Sequence, residues 1–192
     1  MRTFIAIEIP EEIKQRLSEA QSLLKNSGAE AIWTRPEGIH LTLKFLGEVS
    51  NTIVAGITAA LAPAMEESRG FRLTFSGAGV FPHTRNPRVA WIGVGGELDK
   101  LRELQNLVEE QTVRLGCKRE DRIFQPHLTL GRIKAIPLRE PWSKALEEIN
   151  GLTFPFFDVT AISIMKSELK PAGAVYTEMG SMKLKEQYRN AR

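Results

Sequence analysis

Residues 40–43 of this chain, His-Leu-Thr-Leu, recur without change at residues 127–130. The chain contains 3 histidines, and two of them, His40 and His127, open these repeats. Histidine changes charge near neutral pH and commonly serves as a general acid or a general base. The repetition therefore predicts two related parts of the fold and one acid–base pair.

The first repeat begins an alternating run of apolar and polar residues, which is typical of a half-buried strand. Residues two apart lie on the same face of a strand, about 6–7 Å from each other. Each repeat is therefore expected to present an imidazole beside a hydroxyl. In the first strand, one face is expected to carry Leu41, Leu43 and Phe45, and the opposite face His40, Thr42 and Lys44.

Two such strands facing each other suit an in-line displacement at phosphorus. A neutral imidazole can accept a proton from water, and a protonated one can donate to the leaving oxygen. Each transfer is typically worth about 10²–10⁴-fold in rate. Thr42 and Thr129 are expected to donate hydrogen bonds to phosphate oxygens. Because the two motifs are identical, the residues themselves do not order the acid and the base.

Other chemistries lack their sequence motifs. No Cys cluster, HExxH spacing, glycine-rich phosphate loop or nucleophile elbow occurs in the 192 residues. Both histidines together with a carboxylate from elsewhere remain an alternative, as ligands of a metal ion. A site without metal or cofactor is the simpler hypothesis.

The composition is that of a globular protein, with 42% hydrophobic and 26% charged residues. The net charge of +3 is compatible with an anionic substrate without requiring nucleic-acid binding. Cys117 is the only cysteine, which excludes an intrachain disulfide and fits a reducing compartment. No apolar run approaches the ~20 residues of a membrane span, and the N-terminal apolar stretch is too short for a signal peptide. We expect a cytoplasmic protein that does not contact membranes.

Hydrophobic periodicity predicts four helices and at least seven strands. Strands and helices do not alternate regularly, which favours an α+β fold with antiparallel sheets. No firm boundary divides the chain, so we expect one domain over residues 1–192. Pro63 casts doubt on the last turn of the second helix. The helices are expected at about 10–28, 51–67, 97–115 and 142–149, and the strands at about 3–9, 40–46, 71–75, 88–94 and 127–133, with two or three more in 152–184.

These motifs resemble those of the 2H phosphoesterase superfamily, which is defined by two His-x-Thr-x motifs. The chain is most similar to its RNA 2′,3′-cyclic phosphodiesterases, also called 2′-5′ RNA ligases. The similar segments are His-Leu-Thr-Leu-Lys-Phe-Leu-Gly at 40–47, Phe-Pro at 81–82, Pro-Arg-Val-Ala-Trp at 87–91 and Phe-Gln-Pro-His-Leu-Thr-Leu-Gly-Arg at 124–132. The resemblance implies a bilobal fold of two pseudo-symmetric lobes. Each lobe would have an antiparallel sheet and flanking helices, with the active-site cleft between them.

The resemblance also implies an activity and a partner. The activity is hydrolysis of a terminal 2′,3′-cyclic phosphate to a 2′-phosphate without metal, with His40 as proton donor and His127 as proton acceptor. The partner is RNA or a nucleotide with a 2′,3′-cyclic phosphate end. Apart from the resemblance, we expect the protein to be a monomer. Two alternatives are the reverse reaction, a 2′-5′ ligation, and a non-catalytic module that binds RNA or nucleotides.

One difference separates the two motif strands. Phe45 and Arg132 stand five residues after their histidines, where strict alternation places both on the opposite face. Gly131 permits a bulge that turns Arg132 toward the cleft, and the related family carries a phosphate-contacting arginine there. Arg132 is therefore predicted to bind the phosphate. Phe45 is a candidate contact for the base, although packing in the core is the favoured interpretation.

Overall fold

The computed structural model describes residues 1–170 and 173–186, and within these it forms nine strands and four α-helices. The expected α+β class is confirmed, and the motifs lie in β3 and β6. The strands are β1 (Arg2–Glu8), β2 (Glu30–Trp33), β3 (His40–Glu48), β4 (Phe71–Phe81), β5 (Val89–Gly96), β6 (His127–Ala135), β7 (Phe157–Val159), β8 (Ala161–Lys170) and β9 (Gly173–Lys183). The helices are α1 (Glu11–Asn26), α2 (Asn51–Glu67), α3 (Leu98–Arg114) and α4 (Arg139–Asn150).

The strands of the described ranges pair into two antiparallel sheets, each built around one motif strand. The motif-1 sheet has the order β3-β1-β8-β9, with β3 at its edge. The motif-2 sheet has the order β2-β6-β5-β4-β7. Strands β3 and β6 approach each other to within 8 Å between Cα atoms, so the two motif strands lie where the sheets meet.

Strands and helices are exchanged between the two halves of the chain. Strand β2 precedes the first motif but pairs with β6, whereas β8, near the end of the chain, pairs with β1. Helix α1 packs against α4 and β6, and helix α3 packs against α2 and β3. Each sheet is therefore completed by residues from both halves, which makes the relative position of the motifs a property of the whole fold.

Helix α1 shows why these segments become helices. Its buried residues Ile13, Leu17, Ala20 and Leu24 recur at helical spacing and cover the motif-2 sheet, as their pattern predicts. Gly116 follows α3 with φ +87, a left-handed conformation that a glycine adopts without steric cost. It ends the helix as expected.

Some boundaries differ from those expected. Helix α2 continues through Pro63 to Glu67, so the doubt about its last turn was wrong; the proline removes one backbone donor, and the buried Leu61 and Met65 hold both sides of it in the core. Strand β2 was not expected, because its 4 residues gain their order from pairing with β6, far away in sequence. No helix in the described ranges is both long and apolar enough to cross a membrane.

Both motif strands depart from simple alternation at the same place. Between β1 and β3 the pairing skips Leu43, and between β5 and β6 it skips Leu130. The bulge expected beside Gly131 is therefore present, and the first motif has a matching one. Beyond each bulge the two faces of the strand are exchanged.

Lys44 shows the consequence of the bulge in β3. It was expected on the face of His40, but its side chain lies inside the protein and the residue is only 3% exposed. Its ammonium group forms an ion pair with Glu109 at 2.6 Å. The expectation was wrong because the bulge moves Lys44 to the apolar face and turns Phe45 outward.

Candidate active site

His40 stands at the first position of β3. Its Nδ1–H donates a hydrogen bond to the carbonyl oxygen of Gly38 at 2.7 Å. The imidazole stacks on the ring of Phe4, with 4.4 Å between centroids, and meets the edge of Tyr176 at 5.1 Å. Two aromatic side chains and one backbone carbonyl therefore fix the orientation of the ring.

His127 occupies the corresponding position in β6 and is held in the same way. Its Nδ1–H donates to the carbonyl oxygen of Gln125 at 2.7 Å. The imidazole meets the ring of Phe81 edge-on at 5.0 Å, and Trp91 lies 6.4 Å away between centroids. The repeated tetrapeptide thus creates a repeated environment, although the aromatic neighbours come from different strands.

The two carbonyl contacts decide which nitrogen of each ring is available. A carbonyl oxygen accepts hydrogen bonds and cannot donate them, so Nδ1 of His40 and of His127 carries the proton. The Nε2 atom of each neutral ring then has a lone pair with which it can accept a proton. Protonation at Nε2 converts the same ring into a donor without disturbing the bond that orients it.

Glycines support two of the aromatic neighbours. A Cβ atom added at Gly79 would overlap the indole of Trp91, and one added at Gly38 would lie 2.9 Å from the ring of Tyr176. The rings therefore rest directly on the backbone of these residues. The family resemblance marks Phe81 and Trp91 in the sequence, whereas Phe4 carries no signal of its own.

Burial shifts the titration of both histidines in the same direction. Desolvation lowers the pKa of His40 to about 4, against the opposing effect of its bond to Gly38, and the positive charge of Lys14 lowers it further. Desolvation also lowers the pKa of His127, opposed by its bond to Gln125. Both imidazoles are neutral at pH 7 in the free protein. A phosphate anion beside either ring favours its protonated form.

The lowered pKa of His40 predicts a loss of stability in acid. An unfolded histidine titrates near pH 6.5, so between pH 6.5 and about 4 the unfolded chain binds the proton more readily than the folded one. The free energy of unfolding is expected to fall by about 3 kcal/mol over this window because of His40 alone. Urea denaturation at pH 7 and pH 4 measures the loss.

A His40→Gln variant is the control for this prediction, because it keeps every other titrating group. Its unfolding free energy should fall by about 3 kcal/mol less than that of the unmodified protein between the same two pH values. Equal losses in the two proteins would contradict the assignment of a strongly lowered pKa to His40.

The other predicted site residues lie on the same face as the histidines. Thr129 is paired with Trp91 and Arg132 with Val89, two residues away on β5, so Thr129 and Arg132 share a face. Arg132 is exposed, and no carboxylate within residues 1–170 and 173–186 forms an ion pair with it. Its guanidinium is available to an anion.

Phe45 was expected in the core, and that interpretation was wrong. Thr42 is paired with Ala6 and Phe45 with Phe4, which places Phe45 on the face of Thr42, where it is 59% exposed. The bulge at Leu43 is the physical reason. Ile32, paired with Arg132 and also exposed, is a further apolar side chain on the site face that sequence patterns did not indicate.

The metal alternative finds no support in the positions of the side chains. In the part of the chain that is described, no group of three or more His, Cys, Asp or Glu residues is arranged to hold a metal ion. The two motif strands bring two imidazoles and two hydroxyls to this face, and Arg132 adds a guanidinium.

Comparison with known proteins agrees with this arrangement. The model of the LigT-like phosphoesterase family matches residues 7–91 and again residues 92–176, so each match contains one motif. The described fold, with its two antiparallel sheets and paired His-x-Thr strands, is that of a phosphoesterase. The chain belongs to the LigT-like phosphoesterase family.

Relatives and solved structures cover nearly the whole chain. A Methanothermobacter thermautotrophicus protein named RNA 2′,3′-cyclic phosphodiesterase is 32% identical over 96% of this chain and 99% of its own length. A Thermotoga maritima protein of the same name is 36% identical over 92% of this chain and 91% of its own. The crystal structure of TT0787 from Thermus thermophilus has a TM-score of 0.76 and 30% identity, covering 98% of this chain and 100% of that one. That of E. coli LigT with 3′-AMP has a TM-score of 0.74 and 26% identity, covering 95% and 97%.

Proposed function

We propose that this protein hydrolyses the terminal 2′,3′-cyclic phosphate of RNA to a 2′-phosphate, with His40 as proton donor and His127 as proton acceptor. One observation carries the proposal: two identical His-x-Thr strands hold their imidazoles by the same Nδ1 contact, with Nε2 left for chemistry. The names of the relatives support the choice of substrate.

The reaction needs one proton to be removed and one to be supplied. Nε2 of His127 accepts a proton from water as the water oxygen attacks phosphorus. The bond between phosphorus and the 3′-oxygen breaks on the opposite side, and His40 protonates that oxygen. The products are a 2′-phosphate and a free 3′-hydroxyl. Before the next turnover His127 loses its extra proton and His40 regains one, by exchange with water.

The remaining side chains act on the charge of the phosphate. Thr42 and Thr129 donate hydrogen bonds to its non-bridging oxygens, and the guanidinium of Arg132 binds them as a charged donor. Phe45 offers an exposed ring on which a base can stack, worth about 1–3 kcal/mol. Because the pKa of His40 is lowered to about 4 by burial, its role as acid requires the bound phosphate to favour the protonated ring.

The direct test is turnover of 2′,3′-cyclic AMP and of an RNA oligonucleotide that ends in a 2′,3′-cyclic phosphate. Phosphorus NMR distinguishes a 2′-phosphate product from a 3′-phosphate. We expect the 2′-phosphate from both substrates in the presence of EDTA. Formation of the 3′-phosphate would contradict the assignment of the leaving oxygen, and binding without turnover across pH 5–8 would favour a non-catalytic module.

The ligation alternative uses the same groups in reverse, because a reaction and its reversal share one transition state. In dilute solution water competes effectively with a second RNA end, so hydrolysis should dominate. Analysis of products at high RNA concentration tests whether hydrolysis dominates, and a majority of 2′-5′ linked product would overturn that expectation.

We further propose that the chain acts as a monomeric domain of residues 1–192 in the cytoplasm, where its lone cysteine fits a reducing medium.

A further inference from the structure

A buried glutamine joins the two halves of the chain at the bulge of β6. Gln21 of α1 is 1% exposed, and its side-chain amide donates hydrogen bonds to the carbonyl oxygens of Thr34 at 2.6 Å and of Leu130 at 2.7 Å. Leu130 is the bulged residue of the second motif, and its carbonyl also accepts from the backbone N–H of Thr34. Both amide protons of Gln21 are used at this one point.

A buried ion pair joins the halves at the bulge of β3. The carboxylate of Glu109 on α3 accepts from the ammonium of Lys44 at 2.6 Å and from the backbone N–H of Glu120 at 2.9 Å. Lys44 also donates to the carbonyl oxygen of Lys118 at 2.9 Å. Lys44 directly follows the bulged residue of the first motif.

The two arrangements are reciprocal. Gln21 and Glu109 stand at corresponding points of the helices that precede the two motifs, and each side chain reaches the motif strand of the other half. Each also holds the segment that leads to its own histidine, which contains Thr34 before His40 and Glu120 before His127. Each arrangement therefore ties one motif strand to the segment that precedes the other: Gln21 joins β6 to the segment before β3, and Glu109 joins β3 to the segment before β6.

Buried polar groups in these positions define the arrangement of the strands more than they raise the free energy of unfolding. A buried ion pair is often no more stabilising than apolar side chains of the same volume, since its desolvation offsets its attraction. Hydrogen bonds at fixed carbonyls, by contrast, define one arrangement of the strands. At Leu130 that arrangement matters directly, because the bulge turns Arg132 toward the face of Thr129.

We propose that Gln21 and the Lys44–Glu109 pair are positioning residues that hold the two histidine strands at catalytic spacing, and that Gln21 also keeps Arg132 directed at the phosphate. This inference rests on the proposed function. None of the three side chains touches the reacting atoms; they act through the bulges of β3 and β6.

The first experiment compares Gln21→Met with Gln105→Met. Both glutamines are buried on a helix, but Gln105 has no hydrogen-bond partner among the residues described. Methionine keeps the shape of the side chain and removes its donors. Because small displacements of catalytic groups are costly, we expect Gln21→Met to lower kcat/KM about tenfold or more. Gln105→Met should stay within about twofold of the unmodified protein. Equal activity of the two variants would overturn the role of Gln21.

A double-mutant cycle separates positioning from general destabilisation. If Gln21 acts through Arg132, the loss caused by Gln21→Met should largely vanish when Arg132 is already alanine. Fully additive losses in the Gln21→Met/Arg132→Ala protein would show that Gln21 does not act through Arg132.

The ion pair is tested by replacing both partners. Lys44→Met alone leaves the carboxylate of Glu109 buried without its cation and is expected to unfold the protein more easily. Lys44→Met/Glu109→Met removes both charges and should keep its thermal midpoint closer to that of the unmodified protein. We expect the double variant to fold and to lose about tenfold in kcat with little change in KM. A folded double variant with unchanged kcat would overturn the positioning role of the pair.

Amide hydrogen exchange tests the Gln21 contact independently of any activity. The N–H of Thr34, bonded to Leu130, should exchange faster in Gln21→Met and unchanged in Gln105→Met. Unchanged exchange in Gln21→Met would show that Gln21 does not hold the Thr34–Leu130 contact, whatever the substrate of the protein is. If exchange is faster in Gln21→Met but the unmodified protein does not turn over cyclic phosphates, the proposed function is rejected. The structural role of Gln21 at the bulge of β6 is then still supported.

Discussion

Replacing His127 by alanine is expected to lower kcat for a 2′,3′-cyclic phosphate by about 10²–10⁴-fold, because the attacking water loses its proton acceptor. Replacing His40 by alanine should lower kcat by a similar factor, since the 3′-oxygen then leaves without a proton. Steady-state turnover of 2′,3′-cyclic AMP measures both. The matched control is His83→Ala, which removes an exposed loop imidazole whose Nδ1 accepts from the N–H of Asn86.

The pH dependence of the two variants tests the assignment of roles. The low-pH limb of kcat/KM reports protonation of the base in the free enzyme, and the high-pH limb reports loss of the proton from the acid. Because burial lowers the pKa of both histidines, we expect the limbs to lie below their usual position near pH 6.5. His127→Ala should abolish the low-pH limb, and His40→Ala the high-pH limb. The opposite pattern would exchange the acid and the base, and near-normal turnover by both variants would reject the pair.

Arg132→Ala is expected to lower kcat/KM by about 10²-fold, since the variant lacks a charged donor for the oxygens on which negative charge develops. Binding of the product-like 2′-AMP, measured by calorimetry, should weaken in parallel. Arg132→Lys should recover part of the loss, because an ammonium keeps the charge without the two-pronged geometry.

Arg2→Ala is the control for this prediction. Arg2 is also an exposed arginine on a strand, but it is paired with Glu48 at the far end of β3 from His40. Its removal should leave both kcat/KM and 2′-AMP binding unchanged. An Arg132→Ala protein that binds 2′-AMP normally would show that the guanidinium does not contact the phosphate.

Regular segments were predictable because their signals are local. The apolar spacing of α1 and the run from Asn51 to Glu67 correspond to helices in the structure, and both motifs form strands at the expected positions. Strand β2 was not predictable in this way, since its order comes from β6 and not from its own residues. The same holds for Phe4, which meets His40 only because β1 pairs with β3.

The motif strands show where local patterns stop being sufficient. Alternation correctly places each histidine beside its threonine, but it fails after the fourth residue of each motif, where a bulge exchanges the faces. Gly131 offered a hint of this in β6. In β3 the corresponding residue is Lys44. Its charge predicts an exposed position, but in the structure it is buried in an ion pair with Glu109, which is distant in sequence.

The sequence by itself determined that this protein has two equivalent faces equipped with an imidazole and a hydroxyl, because the tetrapeptide and the period of a strand are both contained in a few consecutive residues. Only the tertiary structure decided how those faces are held. Each ring is oriented by a carbonyl contact and by aromatic neighbours, and Gln21 and Glu109 each contact the motif strand of the other half. The aromatic contacts and the contacts of Gln21 and Glu109 depend on residues that folding brings together. Their positions follow from the packing of both sheets, which no single segment specifies.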